Sequence, residues 1–333
     1  MIERRQRVVL AGMLLLLLMA SGLLTACSPS TPTPNPAHVS VRLKWLHQTQ
    51  FAGIYVADQE GYYAEENLTV TIEPVDLERQ VTIEYVLSGE NDIAIGAAEE
   101  IIIARSQGQP LRAIAVIFRI APLVYIAPEA AGVNTPFDLR GKTVALSPGQ
   151  GTYLYEAMMG QLGIDRSQIN EIDATAWDLY ECWQTADVCA HYATNGLART
   201  RYDGVGATAI WPNDYGVPFY ADVIFASDKF IEEHPDVVER FVRATLKGWQ
   251  KAIEDPELAT TATLAFDDSL DYGFQLAAMK MSIPLIDTGE DTLGWMRPER
   301  WQTMHDILIE QDIISSPVDL DTLYTNEFVE KAQ

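Results

Sequence analysis

The chain has 333 residues, room for about two domains at the usual ~150 residues each, and 48% hydrophobic residues suffice for packed cores. Its 23 basic against 47 acidic residues give a formal net charge of −24, which argues against nucleic acid and against adhesion to anionic lipid through a basic face. Seven Trp, 14 Tyr and 10 Phe place it far from the composition of a disordered chain.

At the N-terminus Arg4, Arg5 and Arg7 precede an apolar run over 8–19, too short to cross a bilayer and of the form of a secretory-signal core. Leu24, Thr25, Ala26 and Cys27 then have the form of a bacterial lipobox, so 1–26 reads as a signal peptide and Cys27 as the lipidated first residue. The alternative is an ordinary signal cut near Ala26 with Cys27 incidental. The Pro/Ser/Thr-rich stretch over 27–38 lacks apolar periodicity and reads as a tether. The expected location is extracytoplasmic, with membrane contact through the lipid on Cys27 alone. Cys182 and Cys189 are free to pair in an oxidising compartment, although their spacing leaves the matter open. No Cys/His cluster of metal-site form is present, and no cofactor is expected.

Candidate strands follow at 40–45, 70–74, 93–95 and 113–118, with helices at 50–66, 77–88 and 99–107 between them. The theme repeats with strands at 143–147, 171–174, 188–190 and 204–207 and helices at 151–162, 178–185 and 193–201. Beyond an apolar run at 221–226 the pattern is helical, over 228–254, 256–265, 270–282 and 298–311. Two βαβα sets and a helical final third predict two α/β lobes. The apolar runs 123–127 and 221–226 read as the two crossovers between them. Lobe 1 is then 39–122 with 227–333, and lobe 2 is 123–226, crossovers included. Ligands on open α/β sheets sit at the carboxyl ends of strands, which points to the cleft between the lobes.

Trp45, Gln48, Gln50 and Phe51 fall on the first strand-to-helix turn, offering a stacking face beside neutral donors and acceptors. Alternatively, Trp45 is core and the glutamines only cap the helix. Ser147, Pro148, Gly149, Gln150, Gly151, Thr152 and Tyr153 follow the first strand of lobe 2 and open a helix, a setting suited to an anion or a carbonyl. This is neither a Walker loop nor a dinucleotide fingerprint, and its glycines equally suit plain turn geometry. Trp177, Tyr192 and Tyr220 lie at strand ends or in loops, placed to sandwich a flat ring, although many of the chain's aromatics must be core and any one of these taken alone reads more readily as structural. There is no GxSxG elbow, the five histidines are scattered, and the pairs Glu99-Glu100 and Asp267-Asp268 read as helix-terminal, solvated charges.

A family resemblance rests on these residues. Trp45 to Gly53, followed by Ile54, Tyr55, Val56, Ala57, Gly61, Tyr62, Tyr63 and Ala64, resembles the opening of the thiamine-pyrimidine-synthase-like and sulfonate-binding solute receptors. Leu87, Ser88, Gly89, Glu90, Asn91 and Asp92 resemble a second hallmark, and Asp138, Leu139, Arg140, Gly141 and Lys142 a third. Stretches 215–233, 240–257 and 294–311 are similar to the family's C-terminal half. The resemblance implies a type II periplasmic-binding-protein fold, two α/β lobes joined by two crossovers. It further implies a substrate-binding lipoprotein of an ABC importer, with permease and ATPase subunits as partners. Enzymatic members need a lysine and a histidine where this chain has Gly96 and Glu100, and a cysteine-rich run that it lacks, so a synthase is not expected. Sulfonate receptors need anion grips, for which Arg119 is the one candidate. The aromatics, with Gln48, Gln50, Gln150, Thr152 and Asn195 as uncharged hydrogen-bonders, suit a flat, neutral vitamin. Riboflavin is preferred, and a thiamine pyrimidine precursor is the alternative.

Overall fold

Val39, Val41 and Leu43 are fully buried and alternate with partly exposed neighbours, and this period of two sets the first strand, β1 (Ala37–Arg42). The computed structural model describes residues 35–79 and 81–333. The segment 1–26 read as a signal peptide, Cys27 and most of the stretch read as a tether lie outside the described residues.

The first sheet contains β1, β2 (Leu68–Glu73), β3 (Ile93–Gly96) and β4 (Leu111–Phe118); the second contains β5 (Leu123–Pro128), β6 (Thr143–Leu146), β7 (Asn170–Asp173), β8 (Val188–Tyr192) and β9 (Ala207–Ile210). The last strand, β10 (Ala221–Ser227), returns to the first sheet. The orders are β2-β1-β3-β10-β4 and β7-β6-β8-β5-β9, so both sheets have the same plan: three parallel strands, one inner antiparallel strand, and an edge. The two lobes expected from the sequence are these two sheets with their helices.

The apolar runs read as crossovers are themselves strands. Both are buried almost throughout, and an unbroken apolar run of this length marks a strand covered on both faces. The chain instead changes sheets at 119–122 and 211–220. Consequently 221–226, assigned to lobe 2 from the sequence, pairs with β3 and β4 of the first sheet.

The longer helices are α1 (Ala52–Gln59), α2 (Ala98–Ser106), α3 (Gln150–Leu162), α4 (Pro235–Glu254), α5 (Pro256–Leu264), α6 (Tyr272–Ile286) and α7 (Pro298–Glu310). The helix expected over 50–66 is interrupted at Gly61, and the one over 228–254 at His234, just before Pro235 opens α4 at its first turn. The strand expected at 204–207 lies three residues later, because Asp203 and Gly204 form a turn and Val205 and Gly206 precede the strand. Helix α4 lays a stripe of Val238, Phe241, Val242, Thr245, Gly248, Trp249 and Ala252 against lobe 1. Helix α6 packs on lobe 1 through α5 and on the second lobe through Ala198–Tyr202. There Tyr202 Oη donates to Asp271 Oδ1 (3.1 Å).

Cys182 and Cys189 form a disulfide with Cα atoms 6.4 Å apart, which resolves the pairing left open by the spacing. It ties the helical turn Leu179–Cys182 to β8, inside a small apolar cluster with Val124, Ile126 and Leu197. Closing a loop of this length restrains the unfolded chain by about 2–3 kcal/mol. The double variant Cys182→Ala/Cys189→Ala is therefore expected to melt roughly 5 °C lower in a calorimetric scan. An unchanged melting temperature would show that the bond adds nothing to stability.

Candidate ligand-binding site

The turn leaving β1 carries the first half of the site. Gln48, Thr49, Gln50 and Phe51 are all buried. Thr49 is pinned from α6: its amide donates to Gln275 Oε1 (2.9 Å) and its hydroxyl to the Gln275 carbonyl (3.1 Å). Gln48 Nε2 donates to Gln50 Oε1 (2.6 Å), and Gln50 Nε2 donates to Asp222 Oδ2 (2.7 Å). The second Asp222 oxygen faces Lys44 Nζ at 3.3 Å, and Lys44 also donates to Tyr192 Oη (2.8 Å) at the end of β8. Tyr192 Oη donates to Gln150 Oε1 (2.7 Å), and Gln150 Nε2 donates to Glu99 Oε2 (3.2 Å) on α2. One continuous polar chain thus runs from lobe 1 into lobe 2 and back.

The charges in this chain are balanced internally. Burial is the largest influence on Lys44 and works against its charge, but Tyr192, Asp222 and Glu100 together outweigh it and hold the ammonium above its ordinary pKa. Burial pushes the Asp222 carboxyl up, while Lys44 and the Gln50 amide oppose the rise. Lys44 Nζ, 3.3 Å away, favours the charged form of Asp222 and is the strongest influence opposing burial. Glu99 is fully buried, and burial, helped by neighbouring Glu100, pushes its pKa up to about 8. At neutral pH it is a carboxylic acid. The Tyr192 hydroxyl is likewise raised, chiefly by burial.

Beside the chain two indoles meet across the cleft. Trp45 from the first lobe and Trp177 from the second have ring centroids 5.0 Å apart with planes tilted by 55°. Trp45 is half-buried, whereas Trp177 is 61% exposed. Trp177 is held from behind, where its carbonyl lies 3.0 Å from His191 Nε2.

A family model described as NMT1/THI5 like matches residues 48–259, most of the chain and most of this site. The chain belongs to the NMT1/THI5-like family. The family resemblance seen in the motifs is thereby borne out. Its relatives include the riboflavin-binding protein RibY of Chloroflexus aurantiacus, 26% identical over 97% of this chain and 97% of that protein. The formylaminopyrimidine-binding protein of Halalkalibacterium halodurans is 27% identical over 90% of this chain and 95% of its own. A 4-amino-5-hydroxymethyl-2-methylpyrimidine phosphate synthase of Legionella pneumophila is 24% identical over 88% and 92%. Among solved structures, the periplasmic aliphatic sulphonate-binding protein SsuA of Escherichia coli superposes with a TM-score of 0.67 at 15% identity, covering 86% of this chain and 92% of its own. That likeness bears out the periplasmic-binding fold.

In this NMT1/THI5-like chain the structure pairs Trp45 with Trp177 and links Gln48, Gln50, Gln150 and Tyr192 through the polar chain, and Tyr153 is close enough to Glu99 to feel its charge. Others serve the frame. Phe51 is core, and Gly96 packs so tightly that a Cβ there would lie 2.9 Å from the Phe225 ring. The Thr152 hydroxyl closes its own turn on the Ser147 carbonyl (3.1 Å), and the Gly151 carbonyl accepts from Tyr125 Oη (2.8 Å). Gly149 has φ +76°, a conformation that favours glycine, and a Cβ on Gly151 would stand 2.1 Å from Ser147 Oγ and force that side chain to move, so both glycines suit the turn itself. Asn195 is half-buried in the π-helical turn Ala193–Leu197.

Two candidates stand apart from this cluster. Arg119 is buried at the first hinge, where it donates to Asp291 (3.0 Å) and to the Trp295 carbonyl (3.1 Å). Tyr220 is buried at the second hinge, its hydroxyl accepting from the Arg297 amide (2.9 Å). Both residues are consumed by anchoring the C-terminal segment to the hinges. Conversely, Lys44, Asp222 and Glu99 were not among the candidates. Of the acidic pair read as solvated, Glu100 does cap its helix, accepting from the Ala97 amide (2.9 Å), but Glu99 is wholly buried. A position near a helix start is compatible with either outcome, and the neighbouring lobe decides it. Asp222 carried a usable signal: it is the one acidic residue in an apolar strand.

Proposed function

We propose that the protein is an extracytoplasmic substrate-binding lipoprotein of an ABC importer that captures riboflavin and delivers it to the membrane permease. Its binding site comprises the cleft residues Trp45, Gln48, Gln50, Gln150, Trp177 and Tyr192. The observation that carries this reading is the Trp45–Trp177 pair, one indole from each lobe, beside uncharged amide and phenol groups. A flat ring entering between them is sandwiched as the lobes close, and its polar edge meets the glutamines. Lys44 is neutralised by Asp222 and Arg119 by Asp291, so the site supports a neutral ligand better than a sulfonate. The full-length similarity to RibY favours riboflavin. The formylaminopyrimidine-binding relative supports the second reading, a thiamine pyrimidine precursor on the same aromatic pair.

Capture and release need no covalent step. A Schiff base requires a neutral amine, and Asp222 keeps Lys44 protonated. Among the described residues no helix is long and apolar enough to cross a membrane; the attachment proposed is the lipid on Cys27. The Cys182–Cys189 disulfide supports an oxidising, extracytoplasmic compartment.

The purified protein is expected to quench flavin fluorescence at a one-to-one ratio, and Trp45→Ala to bind roughly tenfold or more weakly, the equivalent of about 1.4 kcal/mol of lost stacking and burial. Formylaminopyrimidine that binds while micromolar riboflavin does not would establish the second reading instead. Unchanged affinity in a folded Trp45→Ala protein would return that indole to a structural role.

A further inference from the structure

Two buried carboxyl oxygens of the cleft have no hydrogen bond among the described residues, and they differ: Asp222 Oδ1 faces the Lys44 ammonium at 3.3 Å, whereas Glu99 Oε1 has no ion pair either. Glu99 Oε2 accepts from Gln150 of the opposite lobe, yet Oε1 has no hydrogen-bond partner among the described residues, although the side chain is entirely shielded from solvent. An unpaired buried carboxyl oxygen is costly, and where one persists beside a binding cleft a ligand atom is the natural partner. Helix α2 fixes the side chain, because the adjacent Glu100 caps the helix and leaves Glu99 turned toward lobe 2.

The groups facing this carboxyl come from every element around it. They are Glu100 on its own helix, Lys44 in the turn after β1, Tyr153 and Gln150 on α3, and Tyr192 at the end of β8. Lys44 is already paired with Asp222 and Tyr192, so no free cation is available to hold Glu99 as a carboxylate.

We propose that Glu99 is a specificity-determining contact, whose neutral carboxyl donates its proton from Oε1 to a carbonyl oxygen or an unprotonated ring nitrogen on the ligand. Resting on the receptor reading, this narrows the ligand class to neutral heteroaromatics with an acceptor on the edge that faces α2. It also disfavours ligands that present an anion or only donors there. Because Oε2 already bridges to lobe 2, the same carboxyl reports lobe closure: ligand and closing lobe engage its two oxygens.

The sign of the pH effect follows from protonation. Donation is fully available well below pH 8, where Glu99 keeps its proton, and is lost as the pH rises through about 8. Riboflavin and formylaminopyrimidine serve as probes, titrated into the purified protein from pH 6 to 9.5. Affinity of the wild-type protein for whichever probe binds is expected to fall about tenfold between pH 7 and pH 9. Glu99→Ala is expected to bind roughly 10- to 100-fold more weakly at pH 7. Glu99→Gln keeps a donor but cannot ionise, so it should bind several-fold more weakly with a flat profile. A purely structural carboxyl would lower the melting temperature of both variants without flattening the profile. That outcome, or unaltered affinity in Glu99→Ala, overturns the proposal while leaving the receptor reading intact. Failure of both probes to bind the wild-type protein at every pH overturns the two together.

Discussion

Replacing Asp222 with alanine is expected to destabilise the protein by about 4 kcal/mol, seen as a melting temperature roughly 8 °C lower by circular dichroism. Most of this loss is electrostatic. Lys44 keeps only 18% side-chain exposure, and with Asp222 gone its ammonium is left facing a phenol, which costs about 3 kcal/mol or more. Gln50 loses its acceptor in the same change. The remainder is conformational: Asp222 has φ +47°, a left-handed geometry that Asp and Asn tolerate and alanine pays about 1 kcal/mol to adopt. Asp222→Asn should therefore be the milder variant, keeping the backbone preference and the Gln50 contact while losing the charge. Joint replacement by Lys44→Met/Asp222→Leu should recover most of the stability, because it removes both charges together. Equal melting temperatures for wild type and Asp222→Ala would mean that the ion pair is solvated and of no consequence.

The second large effect is expected at a helix contact behind the turn that carries the site. Helices α1 and α4 touch backbone to backbone at two glycines: a Cβ on Gly248 would stand 2.1 Å from the Gly53 carbonyl oxygen, and a Cβ on Gly53 would stand 2.1 Å from the Trp249 ring. A carbonyl oxygen cannot swing aside as a side chain can, so Gly248→Ala must push the helices apart. Overpacking of this kind costs typically 1–3 kcal/mol and occasionally more, and the backbone contact places this case near the upper end. Since α1 directly follows the turn carrying Trp45, Gln48 and Gln50, ligand affinity should fall with stability even though Gly248 lies outside the site. Titration of Gly248→Ala at a temperature where it is fully folded checks this. Wild-type affinity there would mean that the turn is held by α6 through Thr49 alone.

Much of the architecture was legible because apolar runs and helical periodicity follow local rules. Strands β3, β6 and β8 start at the expected residues, and α7 starts at Pro298 as expected. Strands β5 and β10 were mistaken for connections because an apolar run reveals burial but not which sheet supplies the neighbours. In the site the split was similar. Aromatics and glutamines at strand ends announce themselves, and Trp45 and Trp177 do meet. Lys44, Asp222 and Glu99 remained hidden, since a lone charge reads as solvated until a partner far away in sequence is placed against it. Arg119 shows the converse: its residue type suits an anion, but Asp291, 172 positions later, already occupies it.

The placement of β10 also bears on how the chain assembles during synthesis. All five strands of the second sheet, from β5 to β9, are contiguous in sequence, so that sheet has every strand once Ile210 is available. The first sheet begins with β1 but lacks an inner strand until Ser227 has been made, and β4 has no neighbour on that side before then. A chain that folds as it emerges, N-terminus first, therefore holds an incomplete sheet with an open edge while the later lobe closes. The lobe begun first is the last to be finished.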